Sequence, residues 1–164
     1  MTESFVMSKG QAYWFQFDEC DRDLINSYSW NISEWGYIQC CKYICVRNSK
    51  NINEAVILHR KIAERLGMDL NKQIDHINGN KLDNRRCNLR EATHQQNNFN
   101  KPRLKRNTPG FKGVSYRKDI DKYRAYISVN YKQISLGCFD TPEEAHQAYC
   151  NAAKKYHGEF ANFG

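Results

Sequence analysis

Between Asn71 and Asn100 the chain has very little to bury. Asp, Asn, His and Arg dominate the stretch, and such side chains leave water only when paired. It must borrow a core from flanking segments, and its polar groups are available to build a site. Gln73 to His76 has strand character, Asn78-Gly79-Asn80 is a turn signal, and Leu89 to Ala92 makes a return strand. Thr93 followed by Gln96 is a capping box. A short helix is therefore expected next, packed on the hairpin and bringing Asn97 over the strand that carries Asp75 and His76.

Upstream, residues 1–53 hold all three tryptophans and read as β-rich. Runs such as Tyr13-Trp14-Phe15-Gln16-Phe17 and Tyr37-Ile38-Gln39-Cys40, punctuated by Gly36, are strand material. Val56, Ile57, Ile62, Ala63 and Leu66 recur near helical spacing and stop at Gly67, which predicts a helix there. Downstream, Lys101 to Arg106 forms a basic connector, followed by the turn signal Thr108-Pro109-Gly110. It reads either as a solvated linker or as a set of cations lying along phosphates.

The C-terminal piece has the clearest local grammar. Tyr123, Ala125, Ile127 and Val129 alternate with Arg124, Tyr126, Ser128 and Asn130, so one face of a strand is apolar. Asn130 and Tyr131 mark a tight turn into Lys132 to Cys138, where Ile134 and Leu136 continue the buried face. Lys112 to Arg117 completes a three-stranded meander. Thr141 then caps a helix with Pro142 in its first turn and Glu144 returning the capping-box bond. Ala145, Ala148, Tyr149, Ala152, Ala153 and Tyr156 form one stripe, ended by Gly158, and the alanines let helix and sheet approach closely. The opposite sheet face, bearing Arg117, Arg124 and Tyr126, stays open.

A formal charge of +7 on 164 residues favours a polyanionic partner. No window approaches the roughly 18 consecutive apolar residues of a spanning helix, and Met1 to Gly10 lacks the apolar core of a signal peptide. No membrane partner is expected; the expected setting is intracellular and cytoplasmic, including a phage-encoded protein in a bacterial host. The seven cysteines read as reduced thiols, with Cys40, Cys41 and Cys45 buried in or near strands rather than holding zinc.

Asp75, His76, Asn88 and Asn97 suit metal-assisted phosphodiester hydrolysis. A carboxylate and an amide oxygen are hard ligands of the kind Mg2+ or Mn2+ accepts. A neighbouring imidazole, with an ordinary pKa of about 6.5, takes a proton from water at neutral pH. Adjacent strand residues point to opposite faces, so one site forms only if His76 aims at the phosphate while Asp75 reaches the metal from the edge.

The Asp75-His76, Asn88-Leu89-Arg90 and Asn97 pattern resembles the phage and intron-encoded HNH endonucleases of the ββα-metal class, and Leu58-His59-Arg60 is similar to the segment that precedes the motif there. This likeness implies Asp75 and Asn97 as metal ligands, His76 as general base, and Asn88 as a brace for the loop that carries it. His59 reads as a structural hydrogen-bonding residue, and His94 as solvent-facing or phosphate-contacting. Lys112-Gly113-Val114, Leu136 through Thr141 and the Ala-rich helix resemble the plant ethylene-response-factor (Apetala-type) DNA-binding domain, with Tyr123 where that family usually has tryptophan. That type of domain is also found appended to HNH endonucleases.

The expected fold is thus α+β. A β-rich N-terminal region spans 1–53, a ββα-metal HNH motif with its preceding helix spans 54–100, a basic linker spans 101–109, and a three-stranded antiparallel sheet packed on one helix spans 110–164. The expected partner is double-stranded DNA. In the HNH part the expected contacts are Arg85 and Arg90; in the connector, Lys101, Arg103, Lys105 and Arg106. In the sheet module they are Lys112, Tyr116, Arg117, Arg124, Tyr126 and Lys132. The likeness implies a homing-type nickase, monomeric or weakly dimeric, that needs no small-molecule cofactor and leaves 5′-phosphate and 3′-hydroxyl ends. The alternatives are a sequence-specific DNA-binding repressor with a vestigial nuclease motif, or an RNA-binding or structural phage protein that uses the N-terminal aromatics for stacking.

Overall fold

A computed structural model describes the protein over residues 2–47, 50–104 and 106–164, with residues 42–47 and 50–53 described through their backbone only. Lys105 and the Cys45 side chain lie outside the described residues. Helices and strands both contribute, in two compact units, Met1–Ala92 and Thr93–Gly164.

In the first unit, β1 (Thr2–Ser8) and β2 (Gln11–Phe17) form an antiparallel hairpin. Its turn residues Lys9 and Gly10 both take positive φ, 49° and 78°, which suits the twist of the flanking strands. Alternation buries Phe15 and Phe17 and leaves Phe5 against Trp14 on the solvent face. After a short helix α1 (Arg22–Asn26), strands β3 (Asn31–Ile32), β4 (Ile38–Arg47) and β5 (Lys50–Ile57) form a second sheet in that order. Helix α2 occupies Leu58–Arg65. Val56 and Ile57, expected in that helix, instead end β5 opposite Cys40 and Gln39. Both are β-branched, and pairing along β4 outweighs the spacing signal. The buried stripe of α2 is Leu58, Ile62 and Ala63, while Leu66 stays exposed. Cys40 is buried and Cys41, expected beside it in the interior, is exposed, because neighbours in a strand face opposite ways.

Strands β6 (Gln73–His76) and β7 (Leu89–Ala92) form the predicted hairpin. Ile74 and Leu89 enter one core with Val6, Phe15, Phe17, Leu24, Ile25, Ile38 and the α2 stripe. The strand-rich leader thus supplies the apolar volume that the polar segment lacks. Polar ties reinforce it. The Asp21 carboxylate, 0% exposed, accepts from Arg86 Nε and Nη2 at 2.8 Å each and from Arg65 Nη1 at 3.3 Å.

In the second unit, helix α3 (His94–Asn100) starts with the predicted capping box, in which Gln96 N donates to Thr93 Oγ1 and Thr93 N donates to Gln96 Oε1. Strands β8 (Val114–Arg117), β9 (Lys122–Val129) and β10 (Lys132–Phe139) make an antiparallel sheet with β9 in the centre, packed on helix α4 (Pro142–His157). Asn130 and Tyr131 form the tight turn, with φ of 49° and 61°. Ala145, Tyr149, Ala152 and Ala153 are buried against the sheet. Gly113 is required there, since a Cβ would fall 2.1 Å from the Tyr149 ring. Two expectations fail at the margins. Ile134 is exposed because β10 is an edge strand. Tyr156 is exposed, and His157 is buried in its place, its ring stacked on Phe99 of α3 at 3.6 Å.

Asp21 yields a stability prediction. Hydrogen bonds from Arg86 hold its carboxyl below the usual 3.8, against the opposing effect of burial. Its contribution is therefore complete above the unfolded carboxylate value and is lost as pH falls through the depressed folded one. Since both arginines remain a third exposed, with 33% and 34% side-chain exposure, the low end of the buried-pair range applies. Asp21→Ala is expected to lose about 3 kcal/mol in urea unfolding at pH 7, with the gap from wild type narrowing below about pH 4. A loss that does not change with pH contradicts this.

Candidate functional site

The register of the β6/β7 hairpin sets the first shared geometry. Asp75 lies opposite Arg90 and His76 opposite Leu89. Residues opposite one another share a face, and Arg90 donates from Nε and Nη2 to Asp75 Oδ2 at 3.0 and 2.9 Å. Asp75 and His76 are buried, at 6% and 4% exposure. A carboxylate that deep in the protein needs a counter-charge, and Arg90 supplies it. His76 turns the other way, toward Asn84, Tyr37 and His59.

The loop between β6 and β7 explains the polar composition of this stretch. Asn88 Oδ1 accepts from Asn78 N at 3.0 Å, and Asn88 Nδ2 donates to Asn78 Oδ1 at 3.0 Å and Asp83 O at 2.7 Å. Asp83 accepts from Asn78 Nδ2 at 2.8 Å and from both Arg85 Nε and Nη2 at 2.7 Å. Side-chain amides thus close the loop where no apolar residue could. It is also stitched to β2, where Gln16 N donates to Leu82 O and Asn84 N donates to Gln16 O, each at 2.8 Å. Asn84, 1% exposed, sits with Oδ1 at 3.4 Å from His76 Nε2 and with Nδ2 donating to Lys81 O.

Three rings converge beside the loop. His59 and His76 meet edge to face at 4.9 Å between centroids, and Tyr37 lies 5.1 Å from His59 and 6.1 Å from His76. Lys81 Nζ rests over the Tyr37 ring at 4.5 Å. Burial, and then proximity to His76, pushes His59 down to about 3. Burial also lowers His76, although Asn84, Asp75 and Asp83 act in the opposite sense. His59 is buried like a structural residue, but its Nδ1 has no hydrogen-bond partner among the described residues. The sequence reading singled out neither Tyr37 nor Asn84. For His59 the available signal was its place in Leu58-His59-Arg60.

In the second unit Asn97 sits half-buried in α3, with its N–H bonded to Thr93 O at 3.0 Å, and His94 is exposed. Of the sheet residues expected to contact a partner, Arg117, Arg124 and Tyr126 lie on the face away from α4, opposite Lys122, Ser115 and Ser135. Tyr116 and Lys132 pair with Tyr123 and Val129, on the α4 side. Arg117 is paired with Asp119, and Tyr116 OH donates to Asp121. Arg124 and Lys132 are in no ion pair among the described residues. Lys101, Arg103 and Arg106 are exposed, while Lys112 turns inward and donates to Phe99 O at 2.8 Å and Lys101 O at 2.6 Å. Burial pushes its ammonium down to about 8.

Comparison with known proteins decides the family. Residues 56–99 match the HNH endonuclease family and residues 109–159 the AP2 domain. Protein 3.8 of Escherichia phage T7 is 36% identical over 90 residues, which cover 55% of this chain and 74% of that protein. The chain belongs to the HNH endonuclease family and carries an AP2 domain. An uncharacterized HNH endonuclease, L560 of Acanthamoeba polyphaga mimivirus, is 39% identical over 88 residues, covering 54% of this chain and 44% of that one. No solved structure matches the chain.

For this HNH protein the two segments indicate a nuclease with DNA binding, and HNH nucleases generally depend on a divalent metal. The Asp75 carboxylate offers hard oxygen, the kind of donor such an ion takes. Among the described residues no group of three or more His, Cys, Asp or Glu gathers to hold an ion. Carboxamide, phosphate and water oxygens would have to complete any shell at Asp75. No described helix is long and apolar enough to cross a membrane.

The lowered imidazoles make a measurable prediction. Below the ordinary value of 6.5 an unfolded chain binds protons that the folded His59 and His76 refuse, so their contribution makes stability fall as pH drops through that range. Histidine side-chain NMR is expected to place the His76 midpoint below 6.5 and to leave His59 neutral until the protein unfolds. A His76 midpoint at or above 6.5 contradicts this.

Proposed function

We propose that this HNH protein is a metal-dependent endonuclease that nicks double-stranded DNA, with His76 as general base, Asp75 and Asn97 as ligands of Mg2+ or Mn2+, and Asn88 as the brace of the catalytic loop. The observation that carries the reading is the setting of His76, buried beside the paired carboxylate of Asp75 on a hairpin whose loop is closed by Asn88.

Local chemistry gives the base its direction. Asn84 Nδ2 donates to Lys81 O, so its Oδ1 is the group that faces His76 Nε2. An acceptor there selects the Nε2–H tautomer and makes Nδ1 the basic nitrogen. Burial keeps the ring neutral at pH 7, ready to take the proton of a water attacking the phosphate. Asp75 and Asn97 would hold the divalent ion, which when bound would supply Lewis acidity toward the phosphate and the leaving 3′ oxygen. The products are 5′-phosphate and 3′-hydroxyl ends. One such site per chain cuts one strand at a time, as a homing-type nickase does, so a monomer or weak dimer suffices.

In this reading Arg124 and Tyr126, on the open face of the AP2 sheet, meet a DNA groove, and Lys101, Arg103 and Arg106 of the connector lie along phosphates. Lys105 shares the connector, and Tyr116 and Lys132 contribute from the flanks of the sheet, while the inward-turned Lys112 stays bound to the Phe99 and Lys101 carbonyls. Arg85 and Arg90 remain tied to Asp83 and Asp75.

With supercoiled plasmid and Mg2+ or Mn2+, the protein is expected to convert closed circles to nicked circles, and chelator should abolish this. His76→Ala is expected to slow nicking by on the order of 100-fold or more without weakening duplex binding. Duplex binding with no nicking by the wild type would instead favour a DNA-binding repressor with a vestigial nuclease segment.

A further inference from the structure

We propose that His59 is a positioning residue for His76, an imidazole kept at its site to fix the ring plane of the base rather than to stabilise the fold. The inference rests on the nuclease reading above. Three observations carry it. His59 comes from the first turn of α2, far in sequence from His76, yet the two rings meet edge to face at 4.9 Å and 66°. Tyr37 flanks both rings, 5.1 Å from His59 and 6.1 Å from His76, and completes a three-ring cluster around the base. His59 Nδ1 is buried with no hydrogen-bond partner among the described residues.

The third observation separates positioning from packing. A buried polar atom without a partner costs stability, and an apolar ring of similar size would fill the same space without that cost. A residue kept for the fold alone would be phenylalanine or leucine. What an imidazole adds over a phenyl ring is an N–H on its edge, a stronger donor toward a neighbouring ring than a C–H, which sharpens the edge-to-face preference and so favours one orientation. The ring it meets is His76, whose Nε2 also lies 3.4 Å from Asn84 Oδ1. Asn84 selects the tautomer, and His59 with Tyr37 sets the plane.

The test uses the full-length protein, with supercoiled plasmid and Mn2+. His59→Phe is expected to melt at the wild-type temperature or higher and to bind duplex DNA with unchanged affinity. Its kcat for nicking should fall at least tenfold while KM stays within twofold. His59→Gly, read as a second variant, should recover part of its lost kcat when free imidazole refills the space. Wild-type kcat in His59→Phe overturns the proposal and leaves the nuclease reading intact, as does a loss of activity that merely follows a loss of folded protein. Absence of nicking by the wild type overturns the nuclease reading and this proposal with it.

Discussion

One carboxamide holds the loop between β6 and β7 shut. Asn88, at the end of the loop, uses both its oxygen and its nitrogen to hold Asn78 near the start and Asp83 in the middle. Nothing apolar in the loop could do this, and a buried amide with all its bonds made is rigid as well as stable. Asp83, held in turn by Arg85, stands next to Asn84, and Asn84 faces the imidazole of His76. The contact between Asn84 and the His76 imidazole therefore hangs from the loop that Asn88 closes.

That loop stands on a borrowed core. Phe15 and Phe17 from the aromatic leader, and Leu58 and Ile62 from α2, bury Ile74 and Leu89 of the hairpin. The same leader reaches the loop through the backbone of Gln16 and reaches the helices through Asp21. Basic residues consequently divide into two kinds. Arg65, Arg85, Arg86 and Arg90 neutralise buried or half-buried carboxylates and belong to the scaffold. Arg124 and Lys132, without ion pairs among the described residues, and the exposed Lys101, Arg103 and Arg106 carry the positive field that a polyanion meets.

Local signals were legible in the sequence, and long-range ones were not. The capping box at Thr93, the turn at Asn130-Tyr131 and the alternation of β9 each depend on residues a few positions apart, and each has its predicted form. The start of α2 was misplaced because Val56 and Ile57 answer to a partner strand sixteen or more residues upstream. Tyr156 and His157 exchanged places because the deciding contact is Phe99, far away along the chain. The HNH segment was legible by the spacing of its motif, but the cluster of Tyr37, His59 and His76 draws on three separate segments, and no spacing rule joins them.

The proposal that Asp75 and Asn97 are ligands of one divalent ion, with His76 as the base, is the one most open to direct test. Titration of Mn2+ into isotopically labelled protein tests it most directly, because a paramagnetic ion broadens the resonances of nearby nuclei. The account predicts that Asp75, His76 and the Asn97 carboxamide broaden together, at substoichiometric Mn2+, ahead of every other acidic site. Broadening at Asp75 that leaves Asn97 untouched, or that starts at the surface acids, contradicts it.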